Sequence, residues 1–524
     1  MKSLNNIILF SLAFGSLFLH PFSMVSLPRC IKILYWKRCL SSGASEVYGR
    51  NFIKNSFIEP LSKNVYKRQN PVDGSETGVF ANSCVQDAEA AVMSASEAFV
   101  SWSRTSYESR AALLLKLRDL VVKNKEDIAK TMTDEMGKPI SESLAELSSS
   151  INLLAWFASE SLRIHGEFFS DRGKKKMFVT HKPHGVVGLI PPWNFPINVV
   201  VRSLGPLLGA GCTAVIKSCP ETPLSSLKLA QIIREAGFPP GVVNIITANY
   251  NSTPDIGTLL CTHPSVRHIS FTGSTNVGKQ LMTQLASTVK RSTMELGGNA
   301  PAILFKSANI PESVDKLILA KFRNAGQTCI SPNRIYVHNE IHDDFVKVLI
   351  DRVSKLVCGH PTKKSTQISC LYDKQGIDKV TLAVENAKKQ GAKCVYQGKA
   401  VPECGPYYYP PTILTNCNGT MDIASCEIFG PVCTIFKFDK ETEVFEEMNN
   451  CTSGLAAYIY SNDYAQIFRT IEELDFGLVA VNDVSASKYL LPFGGHKESG
   501  IGSEMGLRAI YSYLDEQSVV INIG

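Results

Sequence analysis

Across residues 87–167 apolar positions return at helical spacing, as in Ala111-Ala112-Leu113-Leu114-Leu115-Lys116-Leu117, which predicts a run of helices. The period then changes. In residues 174–182, Met177, Val179 and His181 alternate with Phe178 and Thr180 behind a basic start, predicting a strand of a protruding hairpin. From 184 to 300 short apolar runs alternate with helical stretches. Strands are expected at Val186–Ile190, Thr213–Lys217, 242–247 and 268–272, and helices at 198–208, Pro223–Ala236 and 254–260. Strands spaced by helices imply a parallel sheet of βα units, an α/β setting suited to a dinucleotide. No GxGxxG is present, so the ordinary dinucleotide fingerprint is missing. A second alternating block runs from about 301 to 495, without internal repeats, low-complexity tracts or long linkers.

With 524 residues, 44% hydrophobic and 19% charged, the chain can bury two or three cores and is not a disordered protein. The formal charge of +6 is unevenly placed. Residues 1–40 hold Lys2, Arg29, Lys32, Lys37 and Arg38 and no acid, which leaves 49 basic against 48 acidic side chains beyond them. A body this close to neutral offers no electrostatic case for nucleic acid. The fifteen cysteines include no CxxC pair, which fits free thiols in a reducing compartment and gives no support for a metal site. The apolar run 7–19 is too short to span a bilayer. It suits a secretory h-region, whereas the acid-free stretch from Met24 to Arg38-Cys39-Leu40-Ser41-Ser42 resembles a mitochondrial processing site. Residues 1–40 are therefore expected to be a targeting segment. The mitochondrion is the first destination, a secretory or plastid route the alternative, and no membrane segment is expected in the mature form.

Candidate chemistry gathers at three places. Asn194 lies in Pro191-Pro192-Trp193-Asn194-Phe195-Pro196, directly after an apolar strand, where ligands collect in parallel sheets. Its amide can donate to an oxyanion, although an Asn among prolines is more often a turn residue. Cys329 follows Gly326-Gln327-Thr328, and Glu295 stands 34 residues earlier in Glu295-Leu296-Gly297-Gly298. A buried structural thiol and a solvated turn carboxylate are the bland readings of those two. The three motifs together, in this order, resemble the aldehyde dehydrogenase superfamily, and the likeness runs from about Lys63 to the C-terminus. It implies that Cys329 attacks an aldehyde, that Asn194 donates to the resulting oxyanion, and that Glu295 activates water to cleave the thioester.

The resemblance implies further roles. Gly273 and Ser274, before a helix, match the pyrophosphate site, and Lys217 matches the adenosine-ribose lysine. Glu427 and Phe429 match residues that hold the nicotinamide ribose and ring, while Trp193, Asn194, Pro220 and Leu296 complete the cofactor contacts. Arg202 and Arg323 stand where relatives of broad specificity carry aromatics and succinate-semialdehyde dehydrogenases carry arginine. Two guanidinium forks suit a distal carboxylate, with Ser487 as a third contact. The implied reaction is NAD- or NADP-dependent oxidation of succinate semialdehyde. Alternatives are another acid-bearing aldehyde such as glutarate semialdehyde, or a non-catalytic scaffold. The implied architecture has a Rossmann-like cofactor domain (50–165 and 184–300), an α/β catalytic domain (301–504) and a β oligomerisation arm (166–183 and 505–524) in a dimer or tetramer. Several positions depart from the family pattern. Pro220 replaces a carboxylate or hydroxyl that would choose between NAD and NADP, Ser331 replaces a second cysteine, Cys426 replaces an acid, and the loop 484–489 is altered.

Overall fold

The computed structural model describes residues 47–524 apart from Asp171, so the expected targeting segment 1–40 lies outside the described residues. Four helices come early: Val85–Trp102, Tyr107–Lys123, Lys125–Met136 and Ile140–Ser161. Their boundaries have local causes. Ser106 caps the second by accepting from the Ser109 N–H. Gly137, at φ 74°, ends the third. Pro139 opens the fourth, where a missing N–H breaks no helical bond. The helical stretch stops at Ser161, short of the predicted 167, and Glu167–Phe169 is a strand instead.

Strands Val186–Ile190, Thr213–Lys217, Val243–Ile246, Val266–Thr272 and Arg291–Glu295 form a parallel sheet. Counted along the chain, their spatial order is third, second, first, fourth, fifth, so the order reverses between Val186–Ile190 and Val266–Thr272. A reversal of this kind opens a crevice at the carboxyl ends of the two strands. The antiparallel pair Asn51–Ile53 and Ser56–Ile58 extends one edge, and Gly500–Ile501 the other. Alternation along the strands feeds two cores. Val187, Leu189, Ala214 and Ile216 enter one, and Val186, Val215 and Ile269 the other. Both faces of the sheet are therefore buried, as parallel sheets require.

The expected strands Val186–Ile190 and Thr213–Lys217 and the helix Pro223–Ala236 agree residue for residue. The fifth strand, Arg291–Glu295, is not foreseen. Its sequence Arg-Ser-Thr-Met-Glu has no apolar run, and its neighbours Val266–Thr272 and Gly500–Ile501 define it. Glu295 is thus the last residue of a strand.

The block after 300 builds a second sheet in the order Lys393–Gln397, Thr412–Cys417, Val432–Phe438, Arg334–His338, Pro301–Leu304, Ala456–Tyr460, Leu478–Val481. It is parallel except at its first pair. The basic strand Lys175–Pro183 is the middle of three. It pairs along its length with Leu514–Asn522, and Glu167–Phe169 lies on its other side. Its long partner is the C-terminal strand, so a local hairpin accounts for only part of this sheet. No helix among the described residues is long and apolar enough to cross a membrane.

Candidate active site

A cleft of about 490 Å³ collects residues from both large sheets. Trp193 and Asn194 enter from the loop after Val186–Ile190, and Gly273 and Ser274 from the turn after Val266–Thr272. Glu295 ends the fifth strand and Leu296 follows it. From the other side come Arg323 and Cys329, ahead of strand Arg334–His338, Glu427 and Phe429, ahead of Val432–Phe438, and Ser487 beyond Leu478–Val481. Arg202 reaches the cleft from helix Asn198–Ala210. Lys217 and Pro220 are buried and form no part of the wall, so the structure does not bring these two together with the rest. Lys217 ends a strand next to Val186–Ile190, and burial lowers its ammonium pKa while Cys219 and Glu221 oppose the shift.

The backbone ahead of Cys329 is unusual. Asn324 (φ 50°), Ala325 (φ 53°) and Gly326 (φ 80°) are left-handed in succession. Two non-glycine residues there cost about 1–2 kcal/mol each, so the turn must be held by its surroundings. Glu142 Oε2 accepts from the Asn324 N–H at 2.6 Å, and Asn324 Nδ2 donates to the carbonyls of Asn194 and Gln327, both at 3.3 Å. A Cβ on Gly326 would stand 2.2 Å from the Gly430 carbonyl, and one on Gly298 2.3 Å from the Cys329 carbonyl. Only glycine lets the Glu295 turn pass backbone against backbone beside the cysteine.

Burial pushes the Cys329 thiol up to about 12, Glu427 and Glu295 add to the rise, and Arg202 opposes it. Glu295 is buried with both carboxyl oxygens lacking a hydrogen-bond partner among the described residues. Burial, then Glu504, hold its pKa well above the carboxylate range, against Arg202. A carboxyl group with raised proton affinity and open lone pairs is suited to taking a proton. Asn194 Nδ2 donates to the Gln327 carbonyl at 3.1 Å, which uses one of its two amide hydrogens.

The cofactor half of the cleft lies at the strand-order reversal. Ser274 caps the 11-residue helix Thr275–Leu285 by accepting from the Val277 N–H, and the free N–H groups of that first turn suit a pyrophosphate. Glu427 Oε1 accepts from the Gly298 N–H at 3.2 Å, and a Cβ on Gly297 would intrude to 3.2 Å from Glu427 Oε2. Phe429 sits at φ 57°, an outlier for a bulky residue, with its ring edge-on to Trp193 at 5.9 Å. These residues fit a dinucleotide.

The two arginines differ. Arg202 is buried, paired with the buried Glu504 and stacked over Phe493 at 4.3 Å. Arg323 stacks over Phe195 at 4.6 Å, and among the described residues its guanidinium has no hydrogen bond or ion pair. The Ser487 N–H donates to Ser485 Oγ at 3.1 Å, and both serines line the cleft. Ser331 is buried with its hydroxyl on the Lys321 carbonyl, and every described cysteine is free. Cys426 lies outside the cleft wall.

Sequence reasoning missed four charged residues here. Lys138 Nζ donates to the Asn194 carbonyl at 2.8 Å and pairs with Glu146 at 2.6 Å, both fully buried. Glu146 Oε1 accepts from the N–H groups of Ile197 and Asn198, and Glu142 holds Asn324. The spacing of Glu142 and Glu146 is a signal that was available, since residues four apart share a helix face, whereas Lys138 precedes Pro139 and lies outside the helix. Glu504, two residues after Gly502, had no local signal.

The aldehyde dehydrogenase family matches residues 57–519. The NADP(+) succinate-semialdehyde dehydrogenase 1 of Schizosaccharomyces pombe is 40% identical over 478 residues, 91% of this chain and 96% of its own length. The mitochondrial succinate-semialdehyde dehydrogenase of Rattus norvegicus is 42% identical over 474 residues, 90% of each chain. The crystal structure of succinate-semialdehyde dehydrogenase from Burkholderia pseudomallei superposes with a TM-score of 0.89 at 34% identity, covering 92% of this chain and 99% of that one. With its reactive motifs in one cleft and this likeness along nearly its full length, the chain belongs to the aldehyde dehydrogenase family.

Proposed function

We propose that this protein oxidises succinate semialdehyde to succinate with NAD or NADP. The observation that carries the reading is a thiol, an unpartnered carboxyl group and an unpaired arginine in one cleft. Cys329 gives its proton to water and its sulfur adds to the aldehyde carbon. The oxyanion accepts a hydrogen bond from the second amide hydrogen of Asn194. A nicotinamide bound here would supply the acceptor for the hydride that leaves the former aldehyde carbon as the thioester forms; Ser274 and its helix would hold the pyrophosphate, Glu427 the ribose, and Trp193, Leu296 and Phe429 the ring end. Gly273 allows close approach there. Glu295 then takes a proton from water, which attacks the thioester, and the acid leaves as Cys329 recovers its proton.

Arg323, which has no hydrogen bond or ion pair among the described residues, grips the distal carboxylate together with Arg202 and Ser487. The names of the relatives favour succinate semialdehyde over a longer substrate such as glutarate semialdehyde. Pro220 presents no carboxylate against a 2′-phosphate, so both cofactors are admitted. The unit around the first sheet is the cofactor domain and that around the second the catalytic domain. The three-stranded sheet exposes Phe168, Phe169, Val520 and Ile521, a surface suited to a homo-oligomer. The acid-free leader and the mitochondrial rat relative support import into the mitochondrion. Steady-state kinetics with a panel of aldehydes, each with NAD and with NADP, test the proposal. Equal kcat/KM for succinate semialdehyde and butanal would refute the substrate assignment.

A further inference from the structure

Lys138, Glu142 and Glu146 belong to none of the reacting groups, yet each ends on a loop that carries one. Lys138 reaches the carbonyl of Asn194, Glu146 the N–H groups of Ile197 and Asn198, and Glu142 the N–H of Asn324. Glu142 and Glu146 stand in the first two turns of helix Ile140–Ser161 and Lys138 immediately precedes its cap Pro139, so one short segment touches both loops at main-chain atoms. The loops are also tied to each other, by Asn324 Nδ2 on the Asn194 carbonyl and Asn194 Nδ2 on the Gln327 carbonyl. Phe195 accepts the cations of both sides, Lys138 at 4.4 Å and Arg323 at 4.6 Å from its ring centre.

We propose that this row of charges is a positioning device, which holds the Asn194 loop and the left-handed turn before Cys329 in one register. The proposal rests on the reading of Asn194 and Cys329 as reacting residues. A buried ion pair is poor evidence for a stability role, since apolar replacements are often as stable. Its geometry here serves a different end, because every outward bond of the row goes to backbone of the two loops. Glu142 is the critical member. Its acceptor meets the first of three consecutive left-handed residues, where the chain gains most from an external anchor. The groups around it are Arg323, Lys138 and Glu146, and the two cations offset the burial that pushes Glu142 up to about 7.

Two mild substitutions separate position from charge. Glu142→Gln keeps an acceptor oxygen at the same reach and removes the charge. Glu142→Asp keeps the charge and withdraws the acceptor by one methylene, on the order of 1.5 Å. The readout is the first-turnover rate of reduced-cofactor formation, with succinate semialdehyde and with butanal, beside thermal unfolding. Glu142→Gln is expected to stay within about threefold of the parent, and Glu142→Asp to fall about 10- to 100-fold, with both aldehydes and well below the unfolding temperature. A rate for Glu142→Asp equal to that of Glu142→Gln overturns the proposal. So does a loss in Glu142→Gln that Glu142→Asp does not share, which would make the charge decisive, or a loss confined to succinate semialdehyde, which would make Glu142 a partner of Arg323 alone. If the parent burst appears with butanal but not with succinate semialdehyde, the substrate assignment fails while the butanal comparison still decides this one.

Discussion

Replacing Arg323 by alanine removes a guanidinium with no hydrogen bond or ion pair among the described residues, beyond its stacking on Phe195 and its charge near Glu142, so most of the loss falls on the substrate. A charge-assisted hydrogen bond to a carboxylate contributes about 1.5–3 kcal/mol, which predicts a fall in kcat/KM for succinate semialdehyde of roughly 10- to 150-fold. Butanal, of similar length and without the carboxylate, should react at nearly the parent rate. Arg202→Ala should behave differently. It strands the buried carboxylate of Glu504, and breaking a buried pair in this way costs about 3–5 kcal/mol. It also removes the cation that opposes the rise in the pKa values of Glu295 and Cys329. Both aldehydes should therefore suffer, and Glu504→Gln in the same chain should restore part of the stability. Lysine at 323 should recover only some of the loss, because a point charge lacks the planar fork. The assay is steady-state kcat/KM for the two aldehydes in each variant. An equal loss for both aldehydes in Arg323→Ala would refute the assignment of that arginine to the substrate carboxylate.

Cys329→Ala should abolish aldehyde oxidation while cofactor affinity, measured by fluorescence titration, stays near the parent value. Glu295→Gln should give one burst of reduced cofactor per site and little turnover afterwards, and stopped-flow absorbance would show it; loss of the burst itself would remove Glu295 from the hydrolytic step. Burial raises the Glu142 pKa from 4.5 to about 7, so the folded state holds a proton that the unfolded state releases in between. Its stabilising share is complete below the unfolded value and is lost as pH climbs through about 7, amounting to about 3 kcal/mol at most. Urea unfolding near pH 5 and near pH 8 should therefore show a smaller decline in Glu142→Gln than in the parent.

Short-range pattern determines much of this molecule. Val186–Ile190 and Thr213–Lys217 are apolar runs of strand length, and Pro223–Ala236 carries proline at its start and Gly237 after its end. Such elements are legible because each residue's preference depends on neighbours a few positions away. The reactive motifs are equally local, and the cleft unites Asn194, Glu295 and Cys329. Other features depend on partners distant in the chain. Arg291–Glu295 is a strand because two other strands flank it. Lys138, Glu142, Glu146 and Glu504 read along the chain as solvated charges, and it is packing that buries Lys138, Glu146 and Glu504, and partly buries Glu142, beside the loops and the arginine they hold. Ala325 has no intrinsic reason to be left-handed; its conformation follows from bonds that Glu142 and Asn194 make to the residues around it. The difference between an open Arg323 and a paired Arg202 also lies beyond the sequence. Charge pairing is set by distance in space, and two arginines in equivalent motifs acquire different roles once Glu504 packs against only one of them.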